Sequence, residues 1–376
     1  MNHKDIKMMT PVTLGLLLVM AAGGVVAIYR MLFGLGAATN LNDIWPWGFW
    51  IGFDVLGGVA MAAGGFIIAG AVYILNWKKY KPIVRAAILN AFFGYVLAAT
   101  SIFFDIGRSF RIWHPMVMWQ INSIMFIVSI HVVLYTTTLA TESSPMIFER
   151  FKMSGAYRFV NKIMVTIVLF GVLLSTLHQS SLGAVYLIIP SKLSPLWYSS
   201  RLPYMFLVSA VLMGLSMVSF ETILSARIFK HKPPMDILTG MARGSLIVAA
   251  LYFVLKVWDL LSGAGLGTAF NGSFTSNMYL LEMVIGVVLP LILLAVKDFR
   301  TRMSSIFSIN ILVIVGILLN RLNVGIFGLA DYAGKFGLDY FPSLMEIILT
   351  AAMIAFAFVG FKFSVKYLNL FPETEH

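Results

Sequence analysis

Apolar residues in this chain come in long blocks, separated by short polar stretches. Ten blocks are long enough to cross a hydrocarbon layer about 30 Å thick, which takes roughly 20 residues of helix. They cover 11–36, 47–76, 83–104, 115–140, 162–178, 203–226, 241–261, 274–296, 304–325 and 344–368. None shows the one-in-two alternation of a membrane strand, so a β-barrel is not expected. The pattern predicts an all-α integral membrane protein of about ten transmembrane helices, forming one polytopic domain over 1–376. The longest connections, 141–161, 179–202 and 326–343, are too short for an extramembrane domain. Pro190, Pro195, Trp197, Tyr332, Tyr340 and Phe341 gather rigid and aromatic groups at one boundary, as an interfacial belt or as a docking surface.

The third and seventh spans both end at an aspartate, Asp105 and Asp259. This spacing of four helices predicts two four-helix bundles, spans 2–5 and 6–9, flanked by spans 1 and 10. A pseudo-repeat of 47–178 on 203–325 would follow. The glycine pairs at 57–58 and 64–65 suit close helix contacts, or the broken helices of a transporter.

Composition supports a lipid solvent: 60% of residues are hydrophobic and 11% charged, against about 25% charged in soluble domains. The net charge of +11 is explained by its placement. With the N-terminus inside, most basic residues fall on one side: Lys4, Lys7, Lys78, Lys79, Lys81, Arg85, Arg150, Lys152, Arg158, Lys162, Arg227, Lys230, Lys232, Arg243, Lys297, Arg300, Arg302, Lys362 and Lys366. The positive-inside rule puts that side and both termini in the cytoplasm. Membrane lipid, not nucleic acid, is the expected surroundings. The first block reads as an uncleaved signal anchor, being too long for a signal-peptide core.

Ionisable groups within the spans each need a reason, since insertion costs about 2.5–3.5 kcal/mol per charge. They concentrate toward the outer half. Asp54 lies about 10 Å below the outer surface, with Glu282 at similar depth. Asp105, Arg108, Arg111 and His114 form an outer connection, and His178 and Gln179 close the fifth span. Lys256 and Asp259, three apart, are placed to pair. Asp105 with Arg108 is either an ion pair or part of a site, and Glu346 reads as an interface residue. The inner half offers Arg85, Asn90, Glu221 and His131, the last about 24 Å along its helix if that helix begins at Pro115. A mixed-polarity pocket near the outer face suits a small amphipathic ligand entering from lipid, such as a quinone.

The absence of cysteine excludes Cys-ligated clusters from this chain. Among six histidines only His114 and His178 match in depth, while His3, His231 and His376 fall in inner segments or tails. Neither a haem nor another metal site is expected.

The run Asp105-Ile-Gly-Arg-Ser-Phe-Arg-Ile-Trp-His-Pro115 with Trp119-Gln-Ile-Asn-Ser123 resembles the NrfD-like polysulfide-reductase membrane subunits. Trp45-Pro-Trp-Gly-Phe-Trp-Ile-Gly-Phe-Asp54, then Gly57-Gly58 and Ala63-Gly64-Gly65, is similar to the same family. Leu177-His-Gln-Ser-Ser-Leu-Gly183 and Pro195-Leu-Trp-Tyr198 resemble its branch serving uptake nickel–iron hydrogenases. The resemblance implies a quinone-reactive subunit of the bacterial inner membrane, without haem or cluster. Electrons would arrive from a periplasmic four-cluster iron–sulfur protein beside the hydrogenase large and small subunits. Menaquinone or ubiquinone would be the partner in electron transfer. Asp54, Asp105, Arg108, His114, His178, Gln179 and Ser180 fall in the family-like motifs. His178 would bond a quinone carbonyl and deliver a proton, with Asp105 orienting it, Arg108 fixing Asp105, and Asp54 supplying protons. Glu282, His131 and Glu221 would extend a proton path inward. Two alternatives remain: the same role beside a cytochrome or molybdoenzyme, and a proton-coupled transporter using Asp54, Glu282 and His131.

Overall fold

A computed structural model describes residues 7–228, 234–368 and 370. His3, Lys4, Lys230, His231, Lys232 and His376 therefore lie outside the described residues. Among the described residues ten helices are long and apolar enough to cross a membrane: α1 Pro11–Phe33, α2 Trp50–Ile74, α3 Lys78–Asp105, α4 Ile124–Arg150, α5 Ser154–Ile188, α6 Leu202–Ile228, α7 Met235–Ser262, α8 Phe274–Ala295, α9 Met303–Gly334 and α10 Leu344–Tyr367. No strand occurs among the described residues. The chain is a multi-pass membrane protein.

The helices pack in sequence and across it. α4 lies along α5, α5 along α6, and α6 against both α7 and α9. α1 pairs with α10, far apart in the chain, and Lys362 near the end of α10 donates to Met8 O, Thr10 and Thr13 at the start of α1. Both described ends thus share one face. That face also carries Lys78, Lys79, Lys152 and Arg300, and is the basic face below; the other is the far face. The outward residues of α1, such as Val12, Leu18, Val25 and Leu32, are more than two-thirds exposed, which suits contact with lipid.

Small residues set the closest approaches. A Cβ on Gly214 of α6 would lie 2.6 Å from the Gly64 nitrogen of α2, so the two backbones meet there directly. Gly57, Gly64 and Gly65 of α2 therefore serve close helix contact, whereas Gly58 meets nothing within 4 Å. α2 is also irregular. Trp50–Val55 and Gly70–Ile74 are π-turns, and between them Ala63 N–H bonds Ala60 O in a tight turn.

Two boundaries differ from expectation, and both move functional residues. α4 begins at Ile124, not 115, because His114–Val117 is a separate short helix in the far-face connection. α4 then runs through Pro145 to Arg150. α5 spans Ser154–Ile188 in place of 162–178, so Lys162 and His178 are interior positions. A polar residue reads as a helix end, but His178 is sheltered by the neighbouring helices, and Lys162 is exposed on the side of α5.

Candidate functional site

The far half of the bundle holds three buried polar groups. The first joins α2, α3 and α10. Asp54, inside the π-turn at the start of α2, accepts from Thr350 Oγ1 at 2.8 Å. Ser101 is adjacent, its hydroxyl 3.5 Å from the Met353 sulfur. π-turns recur at functional sites because the extra residue re-aims a side chain. Asp105, at the end of α3, was expected to pair with Arg108. Arg108 is exposed, and the cation within electrostatic range of Asp105 is Arg30 of α1. Arg30 is buried and donates to Phe104 O at 2.7 Å and Ile106 O at 2.6 Å. It satisfies carbonyls that the end of α3 leaves free. One oxygen of Asp105 is buried without a hydrogen-bond partner. Glu346 is a capping residue: it and Ser343 form a capping box at the start of α10, and Tyr340 also donates to it.

The second group lies between α3, α4 and α5. His178 is 0% exposed, and neither ring nitrogen has a hydrogen-bond partner among the described residues. The His131 ring stands 6.0 Å away, perpendicular to it, and the Tyr95 ring 5.6 Å away. His131 Nδ1 is 3.5 Å from Ser181 Oγ. The expectation that His131 lies deep toward the basic face is thus corrected. With α4 starting at Ile124, His131 is about two turns from its far end, level with His178. Gln179 is fully buried and donates to Val59 O at 2.9 Å, the carbonyl left free by the tight turn of α2; its own carbonyl oxygen is unpartnered. Ser180 is half-buried. His114 sits in the far-face connection against Trp113, with ring centroids 4.4 Å apart, away from His178.

The third group lies between α6, α7, α8 and α9. Glu282 is 0% exposed and accepts from Lys256 at 2.7 Å, Asn320 and Asn323 at 2.8 Å, and Trp197 at 2.9 Å. Arg321 bonds Asn320, Ser209 and Phe206 O. The expected pairing of Lys256 with Asp259 does not form. Asp259 takes Ser199 and Arg201 instead, because the neighbouring helix offers Lys256 a more deeply buried carboxylate. Toward the basic face, Glu221 accepts from Asn90 at 2.5 Å.

Sequence reasoning missed Arg30, Tyr95, Tyr135 and Glu142. A lone arginine in an otherwise apolar first span was a readable signal for Arg30. Glu142 lay beyond the expected end of its helix, and the tyrosines were absorbed into apolar blocks.

The group of α3, α4 and α5 can donate to or accept from a polar ligand atom through His178, Tyr95 and Gln179. An apolar groove of about 440 Å³ is walled by Val96, Ala99, Thr100, Phe103 and Phe104 of α3 and Thr136 of α4. Val96 and Thr136 are chain neighbours of Tyr95 and Tyr135. Among the described residues no cluster of three or more metal-ligating side chains occurs.

Known proteins resemble the chain along most of its length. A protein of Nitratidesulfovibrio vulgaris (Hildenborough) is 37% identical over 96% of this chain and 95% of its own. The "Probable Ni/Fe-hydrogenase 2 b-type cytochrome subunit" of Escherichia coli K12 is 31% identical, covering 92% of this chain and 88% of its own. The "Menaquinone reductase, integral membrane subunit" of N. vulgaris is 28% identical over 93% and 89%. Residues 37–331 match the family described as Polysulphide reductase, NrfD, and the chain belongs to that family.

Proposed function

We propose that this chain is the quinone-reactive membrane subunit of a respiratory oxidoreductase. It passes electrons between a periplasmic iron–sulfur subunit, of a nickel–iron hydrogenase, and the membrane quinone pool. The observation that carries the reading is His178: a fully buried imidazole in the far half of a membrane bundle, with neither nitrogen engaged. Burying such a group without a partner costs about 1–3 kcal/mol, which a ligand carbonyl would offset. The groove of α3 and α4 supplies the apolar wall an isoprenoid tail needs. The relative named as a menaquinone reductase subunit favours menaquinone, and the hydrogenase relative favours hydrogen as the donor.

In this reading the basic face is cytoplasmic and the far face meets the partner subunits. Arg108, Arg111 and His114 lie in the connection where an iron–sulfur protein would dock, and Ser180 lies beside His178. A bound quinone supplies the two-electron, two-proton chemistry. His178 donates to a carbonyl oxygen and hands over a proton, and the His131 ring stands beside it. Asp54, held by Thr350, and Asp105, beside Arg30, are the carboxylates of the far half. Glu282 and Glu221 mark where a path would extend, although Glu282 is engaged on both oxygens.

The test uses the complex purified through this chain. His178→Ala is expected to lower electron transfer from the donor to a naphthoquinone by about 10²-fold or more. Donor-to-benzyl-viologen activity and subunit recovery should stay unchanged. Full naphthoquinone reduction by the variant would refute the role of His178. Recovery of a cytochrome or molybdenum partner by mass spectrometry would replace hydrogen as the donor.

A further inference from the structure

On α4, His131, Tyr135, Thr138 and Glu142 recur at intervals of four, three and four, which places them on one face. On α5, Gly171, Ser175 and His178 recur likewise, and the two helices pack along their length. The facing stripes are polar from His178 down to Glu142. The Tyr95 and Tyr135 rings meet edge to face at 4.5 Å, and Ser175 lies beside both hydroxyls. At Gly171 the missing side chain makes a slot. A Cβ there would fall 2.7 Å from Glu142 Oε1 and 3.6 Å from the Tyr135 ring. Glu142 is 5% exposed, and its Oε2 has no hydrogen-bond partner among the described residues. It lies about 12 Å along the axis from Arg150. Tyr73 of α2 is within electrostatic range of both Glu142 and Arg85. Arg85 pairs with Glu149 at 2.8 Å where both side chains are partly exposed.

Structural adhesion does not explain this line. Polar groups join membrane helices by bonding across them. Among the described residues Glu142 Oε2 and both His178 nitrogens, the two ends of the line, make no such bond. Each costs about 1–3 kcal/mol as it stands, and an apolar residue of like shape would remove that cost. Glu221 and Glu282 do have partners, Asn90 and the Lys256 group, whereas Glu142 has the glycine slot that turns it toward Tyr135.

We propose that Glu142 is the proton-loading carboxylate of this subunit, passing protons taken up at the basic face along Tyr135, Ser175 and Tyr95 to His178. This deepens the quinone reading and rests on it. Each quinone reduced takes two electrons from the partner subunits and two protons; the protons arrive by this route, each O–H or N–H bond broken at one group being matched by one formed at the next. Turnover therefore moves charge across the membrane.

The test reconstitutes the purified complex in liposomes with its basic face inward and a pH-sensitive dye trapped inside. The donor of its co-purified subunits and 2,3-dimethyl-1,4-naphthoquinone are added outside. Glu142→Gln, which keeps shape, is expected to cut naphthoquinone reduction by at least about tenfold and to abolish dye-reported proton uptake from inside. Binding of heptyl-hydroxyquinoline N-oxide, a quinol mimic, should be retained. Tyr135→Phe, which removes one hydroxyl from a tightly packed ring, is expected to slow uptake and turnover together, and serves where Glu142→Gln does not assemble. Unchanged turnover and unchanged internal uptake in either assembled variant overturns the proposal. If His178→Ala loses turnover while Glu142→Gln keeps it, the route fails and the quinone site stands. If both keep it, the quinone site fails as well.

Discussion

Lys256 and Glu282 offer the sharpest energetic test of the fold. Their charged atoms lie 2.7 Å apart, with side chains 4% and 0% exposed. Removing one partner of such a pair costs about 3–5 kcal/mol, because the other charge stays buried and uncompensated. In Lys256→Met, Glu282 keeps its donors Trp197, Asn320 and Asn323, and Arg321 remains within electrostatic range. The loss should fall near the low end, about 3 kcal/mol. In Glu282→Gln the ammonium keeps chiefly the Tyr279 ring, 4.8 Å from its nitrogen. A desolvated cation–π contact returns about 2 kcal/mol, so a loss of about 3–5 kcal/mol is expected. The double variant leaves neither member of the pair as a lone buried charge, with Arg321 still bonded to Asn320, Ser209 and Phe206 O, and should be no less stable than the worse single one. The coupling energy should be at least about 2 kcal/mol. The assay is equilibrium unfolding of the purified protein in mixed micelles with increasing dodecyl sulfate, followed by tryptophan fluorescence. If the two losses add to within about 0.5 kcal/mol, the pair is not energetically coupled and the reasoning is wrong.

Three further outcomes follow from the packing of α1, α2 and α6. Arg30→Met removes two charge-assisted bonds to the end of α3 and should lose about 3 kcal/mol in the same assay; Arg30→Lys should recover less than half, since an ammonium lacks the fork that spans both carbonyls. Gly214→Ala drives a methyl against the α2 backbone and should cost about 1–3 kcal/mol. Gly58→Ala, with nothing within 4 Å of the new methyl, should instead stabilise by about 0.5–1 kcal/mol.

The ten spans were legible in the sequence because lipid makes a single demand on length and polarity, and each helix meets it with its own residues. Helix ends were less legible. Met116, Met118, Trp119 and Ile121 look like the start of a span, yet they lie exposed in a connection. Lys162 and His178 look like ends, yet they lie within α5. Side-chain partners were the least legible. Lys256 and Asp259 share a helix face, but each is claimed by a residue from another helix, and no spacing within one helix reports that. His178 and Asp54 were identifiable because their motifs are polar where a span should be apolar. The stripe that ends at Glu142 was equally visible at intervals of four, three and four, once α4 is extended past Pro145.

The turns of α2 have a mechanical consequence. The π-turn at Trp50–Val55 winds the chain loosely and the turn at Ala63 winds it tightly, so the two offset each other, and the stretch between them is out of phase with Gly64–Ala69. That stretch contains Gly57 and Val59, and its released carbonyl is tied to Gln179 beside His178. The second π-turn, Gly70–Ile74, loosens the helix again only beyond this region. Deleting one residue from the π-turn would remove the offset, turning the glycines away from α6 and α9 and Val59 O away from Gln179. The looseness beside Asp54 and the tightness beside His178 are thus one adjustment made in two places.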